Sequence, residues 1–241
     1  MNVQEFISNY REAFGNKAAL PICFGYSDEM IGELVQTRGC IFKCFEAVKT
    51  GKILCVSRET FSCGGGKLYT GFAPMPEHVP GFVSTKERYK QTPEMVSEYI
   101  RDLEILPAAK PYLWFARIDQ VMPDAEAEGI LFIATPDQLA GLVTWACFDN
   151  NAPDAVSTPF GSGCCSTLTL TVKENRCGGR RTFLGLFDPS ARPYFKADEL
   201  SFSVPMSRFR EMCTTMRNSC LFGPPAWQKL KERINGEYLN V

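Results

Sequence analysis

Apolar positions along the chain switch between a helical and an extended period, and the switches mark its elements. Val3, Phe6, Ile7, Tyr10 and Phe14 recur at i, i+3, i+4, i+7 and i+11, which predicts a helix over 3–14. Residues 21–26 form a short apolar run, read as a strand. A helical pattern over 39–50 stops at Gly51, a suitable residue just past a helix end. Residues 52–57 read as a strand, and 71–81 as a Pro- and Gly-rich loop carrying His78. Pro93 suits the first turn of a helix over 93–106, whose inward face is Met95, Val96, Tyr99, Ile100 and Leu103. Two buried strands follow at 112–118 and 129–134. Thr135-Pro136 then opens a helix that runs to about Phe148.

Beyond residue 150 the pattern is more broken. Residues 150–163 are rich in Pro, Gly, Asn and Asp and form the best internal boundary, too weak to divide the chain. The alternation Thr167-Leu168-Thr169-Leu170-Thr171-Val172 predicts a half-buried strand, with 182–187 returning as its hairpin partner. A further strand is expected at 200–204, and helices at 207–217 and 225–235. Strands and helices mix without a regular βαβ alternation. The expected fold is α+β, a mixed sheet with flanking helices in one compact domain over 1–241.

Composition changes this picture little. Lys and Arg number 26 against 27 Asp and Glu, so the net charge of −1 offers no electrostatic footprint for nucleic acid. No apolar run is long enough for a membrane span. The first residues lack a signal-peptide pattern, which with an odd number of cysteines points to a reducing cytoplasm. The expected partners are a small molecule or a redox protein of unassigned identity, and self-association stays open.

The chemistry lies in sulfur. There are 11 cysteines and a single histidine, His78. Several cysteines adjoin glycine-rich turns: Cys63-Gly64-Gly65-Gly66, Gly161-Ser162-Gly163-Cys164-Cys165 and Cys177-Gly178-Gly179. Glycines bring bare backbone N–H groups close to sulfur, as a metal cluster or a reactive thiolate requires. Cys40 and Cys44, four apart on the predicted helix, would share one face. In the predicted hairpin Cys164 stands at the base and Cys177 at the tip, about 25 Å apart, so Cys177 is a weaker candidate; Cys165 would face away from Cys164. Cys23, Cys55, Cys147, Cys213 and Cys220 lie in apolar contexts and are assigned to the core. Neither zinc-module spacing nor a ferredoxin run is present. Dinucleotide, P-loop, zincin and nucleophile-elbow motifs are also missing.

Three functions are compatible with these residues. In the first, Cys40, Cys44, Cys63 and Cys164 ligate a metal, with an iron–sulfur cluster as first candidate cofactor, for electron transfer or redox sensing. In the second, Gly64, Gly65 and Arg192 hold a small anionic ligand and the thiols merely pack. In the third, Cys63 or Cys164 is the nucleophile of a thiol enzyme. Asp188 of Asp188-Pro189-Ser190-Ala191-Arg192 is also expected to form an Asx-turn and a local pair with Arg192. The run Lys86-Glu87-Arg88-Tyr89 reads as solvated.

The chain resembles the DUF169 family, also called ArCR, an uncharacterised archaeal and bacterial group. The resemblance rests on Gly39-Cys40 through Lys49-Thr50-Gly51, Cys63-Gly64-Gly65-Gly66 with Tyr69-Thr70-Gly71-Phe72, and Glu87-Arg88-Tyr89-Lys90. It continues at Gly161-Ser162-Gly163-Cys164, 184–192, 200–205 and 227–234. The resemblance implies an intracellular protein and favours Cys40, Cys63 and Cys164 over the other thiols, leaving three sulfurs and an open position. It carries no activity.

Overall fold

Asn2 starts the first helix, its side-chain oxygen accepting the Gln4 and Glu5 amides at 3.0 and 3.3 Å. The computed structural model describes residues 2–121 and 126–237. In chain order, helix α1 (Val3–Phe14) leads to strands β1 (Ile22–Ser27) and β2 (Glu33–Leu34), then α2 (Phe45–Lys49), β3 (Leu54–Ser57), α3 (Gly64–Tyr69) and α4 (Val79–Phe82). Next come α5 (Pro93–Leu103), β4 (Tyr112–Arg117), β5 (Ala127–Ala134), α6 (Pro136–Cys147) and β6 (Val156–Ser157). The chain ends with α7 (Leu170–Arg176), β7 (Thr182–Gly185), β8 (Leu200–Pro205), α8 (Met206–Thr215) and α9 (Pro225–Ile234).

The strands form one mixed sheet in the order β2-β3-β4-β1-β5-β8-β7-β6. Its central pairs are antiparallel, and the two short outer strands pair in parallel, β2 with β3 and β6 with β7. Residues 156–157 therefore complete the edge of the same sheet. The fold is α+β, as the element pattern predicts. Among the described residues no helix is long and apolar enough to cross a membrane.

Helices cover both faces, so the central strands are buried throughout and the period of two sorts residues between two cores. On one face Cys23, Cys55, Trp114, Ile130, Phe132 and Val204 pack beneath α1, α6, α8 and α9. On the other, Ile22, Phe24, Tyr26, Leu54, Phe115 and Leu131 meet α2, the start of the α7 segment and Ala191. A small third cluster, Leu68, Val96 and Ile100, binds α3 to α5 and gathers Val79 and Val83. Sheet-bound and satellite cores thus stand side by side, and the space between them is the candidate site.

The alternating segment 167–172 is not a strand. A π-helical turn (Cys165–Thr169) runs into α7, and β7 pairs with β8 and β6 instead. Cys164, Leu168 and Val172 are spaced by four and all enter the second core, so the same letters satisfy a helical period. Two of the three intervening threonine hydroxyls find acceptors inside the helix or beside it, while that of Thr171 is buried without one. Thr167 donates to the Gly163 carbonyl at 2.7 Å, and Thr169 to the Tyr69 carbonyl at 2.5 Å. Full burial, rather than half burial, removed the signal on which the strand rests. The predicted helix over 39–50 is also interrupted: Cys40 is extended, a 3-10 turn covers Ile41–Cys44, and only then does α2 begin. Cys147, assigned to the core, is exposed at the end of α6.

Candidate ligand pocket and thiol wall

Cys40, Cys63 and Cys164 come from three separate segments and line one cavity of about 400 Å³. Cys40 precedes the 3-10 turn with φ −64° and ψ 134°, which turns it out of the helical path. Cys63 caps α3, where its Sγ accepts the Gly66 amide at 3.3 Å. Cys164 stands at the head of the π-helical turn. The facing wall is built from α4, the π-helical turn Val83–Glu87 that continues it, and α5.

The three glycines of α3 have different reasons. A Cβ on Gly66 would stand 2.1 Å from the Phe61 ring, so packing requires that glycine. On Gly64 the nearest atom would be Pro76 Cγ at 3.8 Å, and on Gly65 it would be Cys63 Sγ at 4.0 Å. Neither has a left-handed φ. A helical glycine costs about 0.5–1 kcal/mol against alanine, and here neither sterics nor backbone conformation requires it. Gly64 and Gly65 leave bare main chain on the cavity.

Asp188 fixes the far end of the thiol wall. Its buried carboxylate accepts the Gly163 amide at 2.9 Å, the Ser190 amide at 2.8 Å and the Ser190 hydroxyl at 2.8 and 3.0 Å. The Asx-turn is therefore formed, and it also ties the Cys164 loop to the segment after β7. Gly163 makes this closure possible, since a Cβ there would meet the Phe42 ring at 2.6 Å and Ala191 Cβ at 2.8 Å.

Burial pushes the Cys40 thiol up to about 11, with further upward contributions from Cys63 and Asp188. Cys164 is raised well above the usual thiol range by burial, then by Cys40, Cys63 and Asp188. Both keep their protons at neutral pH, and Cys63 is half-buried on the cavity lining. Iodoacetamide mapping at pH 7.5 should therefore label Cys63 well before Cys40 and Cys164, and Cys40 should gain rate as pH rises from 8 to 10. Equal labelling of the three thiols by mass spectrometry would contradict this electrostatic picture.

The remaining predicted residues are dispersed. Cys44 is half-buried against the second core, away from the cavity lining, with its thiol raised by burial. Arg192 also lies outside the lining and does not pair with Asp188. Its guanidinium donates to the carbonyls of Glu199, Lys196 and Ala197, closing its own loop. Cys165 is buried behind the wall, 3.6 Å from the Tyr99 hydroxyl, its thiol pushed up to about 12 by burial. Cys177 is exposed at the far end of α7. His78 reaches the lining from an exposed position at the start of α4.

Sequence reasoning missed most of the opposite wall. Within the run read as solvated, Lys86 and Arg88 are exposed but Glu87 and Tyr89 turn into the cavity. Tyr69, Tyr99 and Phe160 join them. Spacing gives one clue, since Tyr99 lies three and one positions from Val96 and Ile100 on the inward face of α5.

Fold and site together define an α+β protein with a thiol-walled cavity set between two hydrophobic cores. The family model for uncharacterised ArCR, DUF169, matches residues 13–215, and the chain belongs to that family. No curated protein and no solved structure matches the chain.

Proposed function

We propose that this is a small-molecule-binding protein whose ligand lies between the thiol wall and the aromatic wall. The observation that carries this reading is the cavity itself. Its volume of about 400 Å³ falls in the range of small-molecule sites, and apolar and aromatic side chains dominate its lining around a few convergent polar groups. The bare backbone at Gly64 and Gly65 supports it, because close approach of a ligand explains two glycines that packing does not. Arg192 has no part in this reading. A fluorescence titration with the neutral dye N-phenyl-1-naphthylamine tests it. One saturable site per chain is expected, and a linear, unsaturable response together with no heat in the calorimetric titration described below would overturn the proposal.

A second reading is favoured by the convergence of Cys40, Cys63 and Cys164: a metal ion or iron–sulfur cluster held by the three sulfurs, serving electron transfer or redox sensing. The Cys164 thiol, raised by burial and then by Cys40 and Cys63, is one whose thiolate a bound cation would compensate, with release of its proton. Among the described residues no group of three or more His, Cys, Asp or Glu is placed to hold a metal ion, so loading requires the sulfurs to draw together. Anaerobic purification with a visible spectrum and metal analysis decides it. Stoichiometric iron that disappears in Cys63→Ser would support the cluster, whereas a colourless, metal-free preparation would retire it.

A further inference from the structure

The cavity is not electrically neutral. Two carboxylates line it, Glu87 and Asp188, against one ammonium, Lys90, and the His78 imidazole. The Gly163 amide, the amide and hydroxyl of Ser190 and the Tyr89 hydroxyl hydrogen-bond Asp188; all are neutral, so they hold its charge in place without cancelling it. The Glu87 carboxyl is raised by burial and then by the charge of Asp188, which fits an environment where negative charge is in excess.

Aromatic faces form the other half of the argument. The Tyr89 and Phe160 rings meet edge to face, with centroids 5.8 Å apart and planes at 88°, and so make a corner. Tyr69 and Tyr99 extend the same lining. A ring face attracts a cation through its quadrupole, most strongly where water is excluded. The protein already uses one face of the cavity in this way: the Lys90 ammonium stands 4.9 Å from the centroid of the Tyr99 ring. This contact is independent of the carboxylates, and it too points to positive charge.

Building on the small-molecule reading above, we propose that the pocket takes an organic cation, a quaternary ammonium or protonated amine, held among Tyr89, Tyr99 and Phe160 with its charge toward Glu87 and Asp188. A tethered amine already satisfies one ring. The ligand either joins Lys90 in the cavity or displaces it from Tyr99. Lys90 and His78 define the opposite possibility, an anionic ligand, which the same experiment addresses.

The test uses the full chain and matched probes. Displacement of N-phenyl-1-naphthylamine is measured with choline, with its uncharged carbon isostere 3,3-dimethylbutan-1-ol, with benzyltrimethylammonium and with benzoate. Direct calorimetric titration of benzyltrimethylammonium runs beside it, so an unresponsive dye leaves the question decidable. Choline should displace the dye at least tenfold more effectively than its isostere, and benzyltrimethylammonium more effectively than benzoate. Glu87→Gln should erase most of that preference, read as the ratio of choline to isostere displacement within the same variant. Tyr89→Leu, judged only if it keeps the wild-type unfolding midpoint, should weaken both cations and spare the isostere. Saturable dye binding without a preference for cations sinks this inference alone, as does a preference for benzoate. Absence of both dye binding and calorimetric heat sinks it together with the small-molecule reading.

Discussion

Asp149→Ala should lower the unfolding free energy by about 3 kcal/mol, read as a shift of the urea midpoint at unchanged slope. The Arg208 side chain is completely buried beside α6. Both of its terminal nitrogens engage the Asp149 carboxylate, one of them also donates to Glu211 at 2.9 Å, and the other to the Ala146 carbonyl at 3.1 Å. Removing Asp149 leaves a guanidinium in the interior with only Glu211 to balance it. That remaining partner keeps the loss near the lower end of the range for broken buried pairs. Replacing both residues together, Asp149→Leu with Arg208→Met, should cost much less than the sum of the two single changes. Arg208 holds the Asp149 carboxyl below its ordinary range, so the pair's contribution is present at neutral pH. It is lost as pH falls through that depressed value, and Asp149→Ala should show a correspondingly weaker acid-side decline. An additive double mutant would show that the pair is not coupled.

Gly64→Trp should weaken dye binding to the cavity roughly a hundredfold while leaving the protein folded. A Cβ at this position has only Pro76 Cγ within 4 Å, so the larger side chain has room to enter. If it excludes the ligand from about 100 Å² of apolar surface, the loss is near 2.5 kcal/mol, roughly a hundredfold in affinity. Gly65→Ala provides the matching control. It should raise stability by about 0.5–1 kcal/mol, since the position is helical and a methyl meets nothing closer than 4.0 Å. Its dye affinity should nevertheless fall, because the methyl stands on the cavity lining. A Gly65→Ala protein that is more stable and binds unchanged would mean that the bare backbone serves no ligand.

Those two substitutions expose what the sequence could and could not convey. Helices α1 and α5 follow directly from their periods, because each presents one face to a core, and the central strands from short apolar runs that are buried on both faces. Thr135-Pro136 with Gln138 forms the expected helix start, the Thr135 amide donating to the Gln138 side chain at 2.9 Å. Segment 167–172 escaped because Thr167 and Thr169 satisfy their hydroxyls on nearby carbonyls while Leu168 and Val172 share one helix face, so strand-like letters fit a helix. The glycine run at 64–66 looked like a turn, yet a short helix forms there on the Cys63 cap.

The site was legible in part for a similar reason. Gly163 beside Cys164 does mark tight approach, and Cys40, Cys63 and Cys164 do share one cavity. Arg192 misled because a guanidinium near a turn serves loop carbonyls as readily as ligands. Glu87 and Tyr89 were hidden by their exposed neighbours Lys86 and Arg88. Arg88, with φ 58°, is the left-handed residue that ends the π-helical turn and redirects the chain there.

The satellite cluster of Leu68, Val96 and Ile100 has a mechanical meaning. It anchors one side of the cavity through few apolar groups, whereas the sulfur-bearing side belongs to the main body under the sheet. A guest touching both sides acts as a clamp across a seam. Amide protons of α4 and α5 should then slow their exchange with solvent when the guest arrives, while those of the central strands barely change.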